Sequence, residues 1–144
     1  MSRPLQFFVG AWNLLEATFT APDGSTFLPW GDAPVGTFLI LETGDSSAQL
    51  MRRDRSAFAS DLPTPAEKQR VYDEYFSYFG RFRADEREGT ITLQVEGAMN
   101  PSWIGGEQLR HVDVEDDDHI VLRTPPLPIA GKTLVGRLRW QRRR

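Results

Sequence analysis

The residues best suited to chemistry cluster in one stretch, VEGAMNPSWIGGEQLR, from Val95 to Arg110. It carries a carboxylate at Glu96, an amide at Gln108 and a guanidinium at Arg110, separated by a turn sequence containing Trp103 and two glycines. A carboxyl whose proton affinity is raised by burial can move a proton, and a guanidinium fork can hold a carboxylate, enolate or phenolate oxygen. The same two groups, brought together across a hairpin, can equally form an architectural ion pair. Residue types alone leave both readings open.

Two other clusters invite chemical readings. His111 and His119, the only histidines, lie near Asp113 and the run Asp116 to Asp118. Metal-holding sequences space their ligands on one helix face or in a zinc pattern, and neither occurs here. No metal is therefore assigned, and a histidine exposed beside acids at a hairpin is expected. Arg52, Arg53 and Arg55 in MRRDRSAFAS read as a solvated loop, with one arginine guarding a cavity entrance as the alternative. The absence of cysteine excludes disulfides, thiolate nucleophiles and cysteine-bound zinc. No phosphate-cradling glycine loop, nucleophile elbow or dinucleotide fingerprint is present, so no cofactor is expected.

These groups must be held by the elements around them, and the dominant pattern is short runs of period-two alternation divided by turn residues. Eight runs read as strands: AWNLLEATFT, GTFLILE and SAQLM, then RFRAD, TITLQVE, EQLRHVDV, HIVLR and TLVGRLRW. Alternation assigns faces. Ile91, Leu93 and Val95 share one side of TITLQVE, with Thr92, Gln94 and Glu96 on the other, so Glu96 points outward unless a bulge at Gly97 re-aims it. Arg110 shares a face with Gln108, Val112 and Val114. An inward guanidinium needs a partner, and Glu96 is the nearest candidate across a hairpin.

Between the third and fourth strands, Thr64-Pro65-Ala66-Glu67 offers an N-cap, a proline in the first turn and a glutamate at the capping-box position. Val71, Tyr72, Tyr75, Phe76 and Phe79 then fall at helical spacing and Gly80 follows, which predicts a helix over 64–79 with one aromatic face. Tyr72, Tyr75 and Phe79, with Trp103, are the expected aromatic walls of a site. Three strands, one helix and five strands make an all-β chain: an eight-stranded antiparallel meander closed into a barrel, with the helix as plug or lid at one end.

GAWNL, MRRDRSAFAS, TPAEKQRVYDEYFSYFGRF, GTITLQVEGAMNPSWIGGEQLR and LRTPP, in this order over nearly the whole chain, resemble the lipocalin-like domain family of small bacterial and fungal barrel proteins. The resemblance implies a calycin-type eight-stranded barrel enclosing a cavity for a small, mainly apolar molecule. Some relatives are recruited as cyclases or isomerases in natural-product biosynthesis. The family pattern has histidines just before the VEG element, where this chain has Leu93 and Gln94, so a histidine acid–base role there does not carry over.

With 144 residues, 40% of them hydrophobic, the chain fits one domain, 1–144, able to bury a core around a cavity. A net charge of −3 argues against nucleic acid, and the basic tail RLRWQRRR reads as a strand end balanced by DVEDDD. No apolar run is long enough to span a membrane, and the N-terminus does not read as a signal peptide, so a cytoplasmic location is expected. The expected partner is a small molecule, with a homodimer left open and neither nucleic acid nor membrane involved. Binding of a hydrophobic or aromatic ligand is the leading function, anchored by Glu96, Arg110 and Gln108. The alternative is a cofactor-free cyclase or isomerase acting on a polyketide-like substrate, with Glu96 moving the proton and Arg110 stabilising oxyanion charge.

Overall fold

The computed structural model describes residues 3–129 and 131–144. A short helix α1 (Leu5–Phe8) precedes β1 (Gly10–Thr20), β2 (Thr26–Phe27), β3 (Val35–Ile40) and β4 (Asp45–Met51). Helix α2 (Pro65–Asp73) leads to β5 (Tyr75–Asp85) and β6 (Thr90–Ala98), and a 3-10 turn (Pro101–Trp103) leads to β7 (Glu107–Asp116). The chain ends with β8 (His119–Arg123), β9 (Leu127–Ile129) and β10 (Lys132–Arg142). All pairings are antiparallel in the order β2-β1-β3-β4-β5-β6-β7-β8-β10-β9, and a β1–β10 ladder closes the sheet. The result is the closed eight-stranded barrel that the alternation implied, with β2 and β9 added as short rim strands.

Inward side chains come from alternate positions, and register shifts in the β1–β10, β5–β6 and β7–β8 ladders adjust the phase. In β1, Trp12 and Leu14 are buried, then Ala17 and Phe19, because the register slips between Leu14 and Glu16. The barrel thereby acquires two different ends. One is packed solid by Phe8, Trp12, Ile40, Phe82, Ile91, Val112 and Ile120. Helix α1 plugs this end, and its unsatisfied carbonyls are met from outside the helix. Trp12 Nε1 donates to Phe8 O at 2.9 Å, and Arg142 donates to Phe7 O and Val9 O at 2.6 and 3.2 Å. The same guanidinium lies 4.3 Å from the Trp12 ring centroid, an arrangement that adds cation–π attraction to packing.

Helix α2 stands where the capping sequence put it, between the third and fourth barrel strands. Thr64 accepts from Glu67 N, and Glu67 Oε1 accepts from Thr64 N at 2.9 Å. Its far end differs from the expected 79. The helix stops at Asp73, and Tyr75 to Phe79 belong to β5, paired with β4 from Met51↔Tyr75 to Ser47↔Phe79. The run YFSYFGRF satisfies helical spacing and period two at once; the open edge of β4, together with the high β-propensity of aromatics, selects the strand. Gly80 is accordingly no helix terminator. It sits mid-strand at a bulge, where an added Cβ would lie 1.8 Å from Gln94 O. Helix α2 buries no residue and contributes none to the barrel's interior cavity. The plug is α1.

The basic tail is the end of β10. Arg137 and Arg139 pair with Glu16, Arg139 with Glu115 at 2.8 Å, and Arg144 with Asp118. Among the described residues, no helix is long and apolar enough to cross a membrane.

Candidate ligand-binding cavity

The end opposite α1 holds a cavity of about 460 Å³, within the range of about 300–1,000 Å³ common for small-molecule sites. Its walls are mainly apolar and aromatic. Phe19 of β1, Phe38 of β3, Phe76 and Tyr78 of β5 and Leu138 and Trp140 of β10 form the sides. Phe27 and Trp30 on one rim segment, Trp103 on a second and Leu127 to Ile129 on a third frame the mouth.

Local sequence explains how Trp103 reaches its place. Gly105 takes a left-handed conformation at φ 86°, and its N–H and the Gly106 carbonyl bond back to Val95. Asn100 Oδ1 accepts from Ser102 N, capping the 3-10 turn. The loop therefore folds over the open end, and the Trp103 ring meets Phe76 and Tyr78 edge-on at 4.8 and 5.1 Å between centroids.

The polar lining is sparse: Asn100, Gln108, Arg110 and Thr124, besides the amphipathic Tyr78 and the tryptophans. Thr124 Oγ1 accepts from Gly136 N at 2.8 Å. Arg110 is only 8% exposed, yet among the described residues it pairs with no carboxylate. Nη1 donates to Leu109 O at 2.8 Å, and both terminal nitrogens approach Gln108 Oε1 at 3.4 Å. Trp140 Nε1 is buried without an acceptor among the described residues.

Of the residues singled out from sequence, Arg110, Gln108 and Trp103 meet in this cavity. Glu96 does not join them. Arg110 faces Ile91 across the β6–β7 ladder, five positions and roughly 17 Å along the strand from Glu96. A bulge does occur there, since Phe79 pairs with Gly97 and Gly80 with Val95, leaving Glu96 unpaired, but Glu96 stays exposed on the outside. Gly97 makes room for a different group: an added Cβ would lie 2.4 Å from the Phe79 ring.

Tyr72 and Phe79 are each 52% exposed and stand apart from the cavity. Tyr75 also lies outside it, with its hydroxyl bonded to Gln49 and the Arg55 guanidinium over its ring. The reason is the change of period: in β5 the inward positions are 76, 78, 80 and 82, so the helical face 72, 75 and 79 no longer exists. Phe76 and Tyr78 take the wall positions instead, a substitution that alternation toward buried Phe82 signals. Phe19, Trp30, Phe38 and Trp140 carry no sequence signal that separates a cavity wall from ordinary core, since what distinguishes them is the empty space beside them.

Arg52, Arg53 and Arg55 line no part of the cavity; Arg53 donates to Ala33 O, and Arg55 lies 3.6 Å from Glu74. His119 Nδ1 lies 2.9 Å from Asp116 Oδ1 in an exposed hairpin. Among the described residues no three histidine, aspartate or glutamate side chains converge as metal ligands.

The model of the lipocalin-like domain family matches residues 9–143. No curated protein gives a significant match. Among solved structures, EF1p2_mFAP2b, described as bound to DFHBI, superposes with a TM-score of 0.51 at 15% identity, covering 99% of each chain. A redesigned β-barrel and a de novo designed fluorescence-activating β-barrel each give 0.46, at 15% and 13% identity. The first covers 100% of this chain and 98% of its own, the second 96% of each. At these identities the likeness concerns the fold alone.

Proposed function

Because the chain belongs to the lipocalin-like domain family, we propose that it binds a small, flat, mainly apolar molecule in the open end of its barrel. The observation that carries this reading is the cavity of about 460 Å³ walled by Phe19, Phe38, Phe76, Tyr78, Trp103 and Trp140. A natural core is packed to crystal-like density with few voids, and a gap of this size beside six aromatic rings forgoes contacts that a ligand would supply. The fold-level neighbour described as bound to DFHBI is in keeping with an aromatic ligand in a barrel of this shape.

The test is titration with phenylnaphthylamine, a neutral aromatic fluorophore, followed by its emission and by quenching of protein tryptophan. Saturable one-to-one binding in the micromolar range is the expected result. Absence of binding by this probe, by a panel of neutral polycyclic aromatics and by anionic aromatics of similar shape would remove the basis of the reading.

A cyclase or isomerase is the second reading, favoured by the cationic Arg110 inside an apolar chamber. Such a cavity would hold a flexible substrate near its reactive conformation, and Arg110 and Tyr78 could stabilise developing oxyanion charge. Glu96, exposed outside the wall, is poorly situated for the proton transfer.

A further inference from the structure

We infer that the ligand of this cavity is an anion, an aromatic or conjugated molecule whose carboxylate or phenolate-type oxygen is received by Arg110. The inference rests on the cavity-binding reading above and specifies its ligand class.

Three observations support it. Arg110 is 8% exposed, so its charge has been withdrawn from water. A guanidinium carries five N–H donors and keeps its charge in proteins, and withdrawal without a counter-charge is strongly unfavourable. The partners present are neutral and incomplete. Leu109 O is one good acceptor at 2.8 Å, Gln108 Oε1 is shared by two long contacts at 3.4 Å, and Nε makes no hydrogen bond among the described residues. The residue that sequence spacing suggested as its carboxylate partner, Glu96, lies outside the barrel.

The second observation is the balance of polar groups. Thr124 Oγ1 is already engaged as an acceptor by Gly136 N. The donors of Arg110 thus outnumber the acceptors offered to them, and a ligand that brings acceptor oxygens fits the chamber better than one that brings donors. The third is position: Gln108 and Arg110 follow one another on the inward face of β7, with Gln108 nearer the strand's start at the open end and Arg110 deeper. An aromatic body between the Phe and Trp walls would then carry its charged group inward.

The experiment compares two probes of similar shape, anionic anilinonaphthalene sulfonate and neutral phenylnaphthylamine, on the full chain and on Arg110→Met and Arg110→Lys. Wild type is expected to favour the anionic probe by about tenfold or more. Arg110→Met is expected to lose that preference while still binding phenylnaphthylamine, and Arg110→Lys to retain part of it. Retained phenylnaphthylamine binding also verifies that the variant cavity is folded. Equal binding of both probes by wild type, or an anionic preference undiminished in Arg110→Met, overturns the inference while leaving the cavity reading standing. Binding of neither probe by wild type overturns the cavity reading and the inference with it.

Discussion

Gln108 and Arg110 stand two positions apart on one inward strand face, and the Gln108 carbonyl oxygen is the only side-chain acceptor, among the described residues, that Arg110 has, at 3.4 Å from both terminal nitrogens. A buried guanidinium resting on one neutral amide and one backbone carbonyl is costly to the folded chain. This places the demands of stability and of binding in opposition at one residue.

Arg110→Met should therefore leave the ligand-free protein as stable as wild type, or more stable by about 1 kcal/mol or more, since apolar replacements of incompletely compensated buried charges are often neutral or stabilising. Urea unfolding of the two proteins provides the measurement. A loss of several kcal/mol would instead mean that Arg110 is an architectural element.

Trp103 is held at the mouth by edge contacts with Phe76 and Tyr78 and belongs to a rim loop rather than to the packed end. Trp103→Ala is expected to weaken binding of phenylnaphthylamine about tenfold, the loss of one aromatic contact face. The unfolding midpoint should change much less than for a substitution at Trp12, which is wholly buried in the packed end.

Gly80→Ala should destabilise the barrel by about 2 kcal/mol or more. The added Cβ would meet the Gln94 carbonyl at 1.8 Å, a backbone atom that cannot swing aside. The bulge opposite Glu96 must then shift, and amide exchange in β5 and β6 around residues 79–81 and 94–97 would report it. Exchange unchanged in these strands would show that the close approach is easily relieved.

Hydrogen bonds from the Thr64 and Ala59 backbone N–H groups hold the Glu67 carboxyl below the ordinary carboxylate range. A depressed folded-state value stabilises the cap fully above the unfolded value. That contribution is lost as pH falls through the folded value. Protection of the Thr64 and Ala59 amides from exchange should accordingly drop several-fold on acidification below the ordinary range. In Glu67→Gln it should be lower at neutral pH and lack that acid step.

Exposed Glu96 yields the contrasting expectation. Glu96→Gln should leave probe affinity within about twofold and stability within about 0.5 kcal/mol, as for surface substitutions generally. A large loss of binding would require Glu96 to reach the cavity by a rearrangement of the bulge.

The sequence by itself determined the barrel, the capped start of α2 and the inward face carrying Gln108 and Arg110. These depend on alternation and on capping chemistry, which act over a few residues and are written locally. It also put a bulge near Gly97. Only the tertiary structure decided which way that bulge turned Glu96, because the answer depends on Phe79 of the neighbouring strand occupying the space over Gly97. The run from Tyr75 to Phe79 carried both periods, and pairing with β4 chose the strand, bringing Phe76 and Tyr78 inward and leaving Tyr72 and Phe79 outside. The emptiness beside Arg110 belongs wholly to the tertiary level. A void is the space that distant strands leave unfilled when they close, and no single segment encodes it.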